Sequence, residues 1–93
     1  MNRLETIHLR LAGATPLKLV VDIGRAIAVA GDAPAVRVYR HSTFVGDLSI
    51  HLHLGPGDGA ERSTLGAHLA RALREFGLVE HTVWLEVDNT ETD

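Results

Sequence analysis

The chain has 93 residues, a formal net charge of −3 and no cysteine. This length fits one domain, residues 1–93, with a modest core and an ordered part over about 4–87. The lack of cysteine excludes a disulfide scaffold, a thiolate nucleophile and a thiolate zinc site.

Charge is distributed unevenly along the chain. Residues 1–46 carry six basic and three acidic side chains, whereas residues 47–93 carry three basic and nine acidic ones. Neither half has the dense basic patch of a nucleic-acid-binding protein, and the acidic C-terminal end predicts a solvated tail. The N-terminus does not resemble a signal peptide, and the longest apolar stretch, Leu17–Ala30, is interrupted by charges. We therefore expect a cytoplasmic protein that binds neither nucleic acid nor membrane.

Four segments alternate apolar and polar side chains, as half-buried strands do. Residues 47–54 (DLSIHLHL) alternate most strictly, and their outward residues are Asp47, Ser49, His51 and His53. The other three segments are residues 4–11, 36–40 and 80–87. The predicted inward residues of the four strands are Ile7, Leu9, Leu11, Val36, Val38, Leu48, Ile50, Leu52, Leu54, Val83, Leu85 and Val87. Residues 36–40 and 47–54 are predicted to pair as a hairpin.

The first helix is predicted over residues 16–30. Thr15 and Pro16 fit an N-cap and the first helical position, and Gly31 suits the residue after the end. Apolar and small residues follow helical spacing at Leu17, Val20, Val21, Gly24, Ile27 and Ala28.

The second helix is predicted to begin after Ser63, which suits an N-cap, and to follow a connecting turn in GPGDGAERST. Gly77 and Leu78 predict a Schellman end, in which Leu78 meets Leu73. The apolar stripe of this helix consists of Leu65, Leu69, Ala72, Leu73 and Phe76.

The predicted element order is βαββαβ. This order predicts an α+β fold, a two-layer ferredoxin-like sandwich with a four-stranded antiparallel sheet and two helices on one face. Right-handed crossovers give the strand order 4-1-3-2. The opposite sheet face is then left uncovered, and its candidate ligand-binding residues are His8, Arg10, Tyr39, His51, His53, Trp84 and Glu86.

In its element order and half-open sheet, the chain resembles the dimeric α+β-barrel superfamily, which includes cofactor-independent monooxygenases. The resemblance covers roughly residues 4–87 and includes the passage HLARALREFGLVEHTVWLEV. It implies a homodimer in which two sheets stack face to face around a cavity. Tyr39 and Trp84 are expected in or beside this contact. No catalytic motif of the monooxygenases is present, so no catalytic residue is carried over.

Two classes of function follow from the open face. We favour binding of a small ligand in a semi-polar cavity, without a cofactor. The alternative is an oxygenase-like enzyme that uses His8, His51 or His53 as a base. The same three histidines with Glu86 could also be metal ligands, but His-x-His without a fixed third ligand is a weak signal, and we predict no metal site.

Overall fold

A computed structural model describes residues 2–11, 16–30, 35–44, 46–56, 59 and 61–87. Predictions at Thr15, at Gly31 and for the acidic tail after residue 87 lie outside these ranges, as does part of the glycine-rich turn. The elements in chain order are β1 (Asn2–Arg10), α1 (Leu17–Ala30), β2 (Ala35–Arg40), β3 (Asp47–Pro56), α2 (Thr64–Leu73) and β4 (Leu78–Leu85).

The four strands form one antiparallel sheet in the order β2-β3-β1-β4. Read from the other edge, this is the predicted order of strands, and β2 pairs with β3 as the predicted hairpin. The two long strands, β1 and β3, lie in the centre, where alternating side chains have a neighbour on both sides. The protein is thus an α+β domain with two helices and an open antiparallel sheet.

The core lies on one face of the sheet. Its buried cluster joins side chains of the two central strands with side chains of both helices. The cluster consists of Ile7, Leu9, Leu19, Ile23, Leu48, Ile50, Leu52, Leu69, Ala70 and Leu73. The strict alternation of the central strands therefore predicted their buried face correctly, because one face of each strand is apolar throughout.

The helix α1 is present as predicted, and Ile27 of the predicted stripe packs against the core, but most of that stripe is exposed. Leu19 and Ile23 are buried, whereas Leu17 is 78% exposed, and Val20 and Val21 are exposed as well. Apolar residues occur around most of this helix, so periodicity alone does not distinguish the face that packs on the sheet.

The start of α2 follows the sequence prediction, but its end does not. Ser63 is the N-cap, and its hydroxyl oxygen accepts a hydrogen bond from the Gly66 N–H. The predicted Schellman end is wrong, because Gly77 does not have a positive φ and Leu78 is 75% exposed. Gly77 meets a packing requirement instead, since a Cβ there would overlap the carbonyl oxygen of Arg10.

The last strand begins two residues before the predicted one and ends earlier. Of its predicted inward residues, Val83 is half-buried, Leu85 is 38% exposed, and Val87 lies beyond the strand and is exposed. The buried residue on this strand is His81, which lies opposite Ile7 of β1. An imidazole therefore occupies a core position of an edge strand.

Candidate functional site

The structure divides the seven predicted site residues into three groups along the open face. His8 and Arg10 lie at one end of β1, beside Asp47 at the start of β3. Tyr39 and His51 lie in contact on β2 and β3. The remaining three, at the other end of the sheet, line one pocket: His53, Trp84 and Glu86.

The first group is organised by a buried carboxylate. Asp47 Oδ2 lies 3.5 Å from His8 Nε2, and Asp47 Oδ1 lies 3.6 Å from Arg10 Nε. Asp47 is only 7% exposed although it lies on the open face. The Asp47 carboxylate compensates the charge of Arg10 locally, so this end of the face is a structural polar cluster as well as a candidate site.

In the second group, the His51 ring lies 4.6 Å, centroid to centroid, from the Tyr39 ring, at an interplanar angle of 50°. His51 Nε2 is also 2.9 Å from Ser49 Oγ on the same strand. Burial lowers the pKa of His51 below its ordinary value of 6.5, and the charge of neighbouring His53 lowers it further. The neutral imidazole is therefore the favoured form near pH 7.

This lowered pKa predicts a pH dependence of stability. Because the folded-state pKa of His51 lies below the unfolded value, the unfolded chain binds the proton more readily. The contribution of His51 is complete above about pH 6.5 and is lost as the pH falls below that value. In urea unfolding between pH 7 and 5, His51→Gln should show a smaller decrease in the free energy of unfolding than the wild type. An NMR titration that placed the His51 pKa above 6.5 would contradict this assignment.

Hydrogen bonds connect the centre of the open face to β4. The Trp84 indole Nε1–H donates to Thr6 Oγ1 over 3.1 Å, and Thr6 Oγ1 lies 2.7 Å from Thr82 Oγ1. Thr6 is opposite His51 on β3 and opposite Thr82 on β4. These bonds fix the orientation of Trp84, which is nevertheless 60% exposed.

The pocket of the third group has a volume of about 520 Å³. Besides His53, Trp84 and Glu86, it is lined by Asn2, Arg3, Leu4, Gly55 and Leu85. The pairing of β1 with β3 shifts register between Arg3 and Leu4, and Gly55 opposite Arg3 has a φ of 78°, a left-handed conformation that favours glycine.

Within the described residues, some polar groups at this pocket have hydrogen-bond partners and one does not. The Asn2 amide donates to Glu86 Oε2 over 2.9 Å. Arg3 Nε is buried without a hydrogen-bond partner among the residues that the structure describes. The pocket therefore combines an indole and two leucines with the side chains of Arg3 and Glu86, which suits a ligand with an apolar body and a polar group.

The register separates the histidines that were considered as metal ligands. His8 lies opposite Ser49, His51 opposite Thr6 and His53 opposite Leu4. Neither His51 nor His53 therefore lies directly opposite His8. Across the described ranges, no group of three or more histidine, aspartate and glutamate side chains is arranged to hold a metal ion.

The sequence interpretation missed a buried polar cluster on the core face. Glu5 is fully buried, and its carboxylate lies 2.5 Å from His81 Nε2 and 2.5 Å from Ser63 Oγ. The Ser63 N–H also donates to Glu5 Oε2 over 3.1 Å. The alternation of apolar and polar residues indicated that both are buried, because Glu5 and His81 occupy inward positions of β1 and β4. Their hydrogen bonds offset the free-energy cost of burying these polar side chains.

This cluster is not a catalytic triad. Ser63 and His81 both bind the same carboxylate, so the imidazole is not placed to accept the hydroxyl proton. The Ser63 hydroxyl also caps α2. The arrangement connects β1, β4 and the start of α2, and it fixes the orientation of the His81 ring.

Comparison of the chain with protein-family models, with curated proteins and with solved structures finds no match. The fold and the site therefore define it only as a small α+β protein with an open, polar sheet face. Within the described part of the chain, no helix is long and apolar enough to cross a membrane.

Proposed function

We propose that the protein is a homodimer of the dimeric α+β-barrel type, in which the open sheet faces of two copies enclose a small-ligand site. In this arrangement both helices lie on one face of a ferredoxin-like sheet. Two observations support it: the strand order β2-β3-β1-β4, and a core cluster that contains residues of both helices. The partner covers the other face.

Exposed aromatic side chains favour a partner on this face. Trp84 is 60% exposed and Tyr39 is 47% exposed, and they lie on opposite edge strands of the sheet. Aromatic residues at these levels of exposure are enriched in subunit interfaces. A contact between two copies would bury both of them.

The charges of the two edge strands favour a second copy as the partner. Arg37 on β2 shares the open face with its neighbour His51, and Glu80 on β4 shares it with His8. Glu86 adds a second carboxylate after β4. A two-fold axis parallel to the strands places β2 of one copy over β4 of the other, with Arg37 level with Thr82. Glu80 lies two residues further along the same face of β4, about 7 Å away, a distance that the long Arg37 side chain spans, and the symmetry repeats this pair.

The pocket lined by Arg3, His53, Trp84 and Glu86 carries the ligand proposal. Its volume of about 520 Å³ lies within the range of small-molecule sites. The ligand class that suits it is a small aromatic acid, whose ring would lie against Trp84 and whose carboxylate would pair with Arg3.

The oxygenase alternative has less support from the geometry. His51 Nε2 is directed to Ser49, and His8 Nε2 is directed to Asp47. A base needs a free ring nitrogen within reach of the substrate proton. Two of the three histidines considered as bases thus already have a polar neighbour.

The dimer is tested by charge reversal and sedimentation. We expect the wild type to sediment as a dimer at tens of micromolar, an order typical of moderate dimers. Arg37→Glu should produce monomer, because it turns the attraction between Arg37 and Glu80 into repulsion at both symmetric contacts. The double variant Arg37→Glu with Glu80→Arg should restore the dimer. Arg25→Glu, a matched charge change on α1, should not affect association. A wild type that is monomeric at this concentration would refute the proposal.

The ligand site is tested by the fluorescence of Trp84, the only tryptophan in the chain. Benzoate and larger aromatic carboxylates should change the emission in a saturable way. Arg3→Gln should weaken this binding, and Arg40→Gln, a change on a different strand, should leave it intact. Saturation with equal affinity in Arg3→Gln would show that the acid group binds elsewhere.

A further inference from the structure

A second concave site lies on the helix side of the protein, away from the open face. It has a volume of about 430 Å³ and lies between α2, the residues that precede it and β4. It is lined by Arg62, Ala67, His68, Ala70, Arg71, Arg74 and His81. Three arginines thus converge on one pocket in a chain whose net charge is −3 and which has nine basic residues in total.

Two of the lining residues are held in place by hydrogen bonds. The side chain of His81 is 3% exposed, and its Nε2 is bound by the fully buried Glu5 carboxylate. The Arg62 guanidinium donates from an Nη to the carbonyl oxygen of His81 over 2.8 Å. A buried ring with a fixed orientation and an anchored guanidinium give the pocket a preorganised wall.

The dipole of α2 does not explain the positions of all three arginines of the pocket. Arg71 and Arg74 lie at the C-terminal end of α2, where basic residues interact favourably with the helix dipole. Arg62, however, precedes the helix, at the end where the dipole disfavours a cation. The nearby carboxylate of Glu75 is directed to Lys18 on α1, with an Nζ–Oε1 distance of 2.9 Å. The positive charge of the pocket is therefore not compensated by that carboxylate.

We infer that this pocket binds the phosphate group of a small phosphate monoester. Guanidinium groups bind phosphate oxygens in a bidentate manner, and several of them around one concavity are typical of oxyanion recognition. The volume exceeds that of phosphate alone and leaves space for a small organic group. This site is separate from the proposed pocket at the open face, with which it shares no lining residue.

The inference is tested with inorganic phosphate and phenyl phosphate by NMR titration at constant ionic strength. We expect saturable shifts of the His81 ring and of the Arg62, Arg71 and Arg74 guanidinium resonances, with tighter binding of phenyl phosphate. Arg71→Gln and Arg74→Gln should each weaken binding about tenfold, since each removes a charge-assisted hydrogen-bond donor. Arg25→Gln, a matched change on α1, should leave the affinity unchanged.

The possible results distinguish a specific phosphate site from non-specific electrostatic attraction of anions. Equal responses to phosphate and to chloride would overturn the inference, as would equal affinities in Arg71→Gln, Arg74→Gln and the wild type. Binding of inorganic phosphate without any gain from the phenyl group would overturn the monoester assignment. Far-UV circular dichroism of each variant verifies that it is folded, and both arginines are exposed, which favours folding of the variants.

Discussion

Replacement of His81 by leucine should lower the free energy of unfolding by about 3 kcal/mol, the upper end of the range found when a buried polar group loses its hydrogen-bond partner. The fully buried Glu5 carboxylate would keep Ser63 as a partner but lose the imidazole. When a buried carboxylate loses a hydrogen bond, less of the free-energy cost of its desolvation is offset. Urea unfolding at pH 7 measures the loss.

A double-mutant cycle separates the pair from the packing of its side chains. The double variant Glu5→Leu with His81→Leu should be more stable than His81→Leu alone, because no charge is then left buried without its partner. The control Glu61→Leu, at an exposed carboxylate that precedes α2 and has no part in the proposed dimer contact, should change stability by about 0.5 kcal/mol or less. Additive effects of the two single replacements would show that Glu5 and His81 do not interact.

The sheet was predictable because its signal is local. Alternation along β1 and β3 indicates the buried face of each strand, and the element order with right-handed crossovers leaves few strand orders. The buried face of α1 was not predictable in the same way. Leu17, Val20 and Val21 have the same periodicity as the core residues Leu19 and Ile23, and only the position of the helix on the sheet distinguishes them.

For the candidate site residues, too, one part was predictable from the sequence and another was not. That His51, His53 and Trp84 share the open face follows from counting along each strand. Their division into separate groups depends on the register between strands, which brings Asp47 to His8 and Tyr39 to His51.

The buried pair shows why the remaining contacts were missed. Glu5 and His81 lie at inward positions of their own strands, but they are 76 residues apart in the chain. The Glu5 carboxylate also contacts the N-terminal end of α2 through Ser63, which is distant in the chain as well. A polar residue at an inward position of a strand is thus a signal to search for a partner on a neighbouring element.

The same cluster explains why α2 has a glycine in its first turn. A Cβ at Gly66 would overlap the carboxyl group of Glu5, which is held by Ser63 and His81 and has no space to move. We therefore expect Gly66→Ala to lower the free energy of unfolding by about 2–3 kcal/mol, as overpacking of a core does.

Gly24→Ala is the matched control for this prediction, because a Cβ at Gly24 meets nothing within 4 Å in the middle of α1. It should raise stability by about 0.5–1 kcal/mol, the difference in helix propensity between alanine and glycine. Combining Gly66→Ala with Glu5→Ala should remove most of the penalty of the alanine at position 66, because the overlapping carboxyl group is then absent. Chemical unfolding of Gly66→Ala, Glu5→Ala, their double variant and Gly24→Ala at one pH gives each of these free-energy differences. If Gly66→Ala stabilised the protein as much as Gly24→Ala, the Glu5 carboxylate would not lie against the first turn of α2.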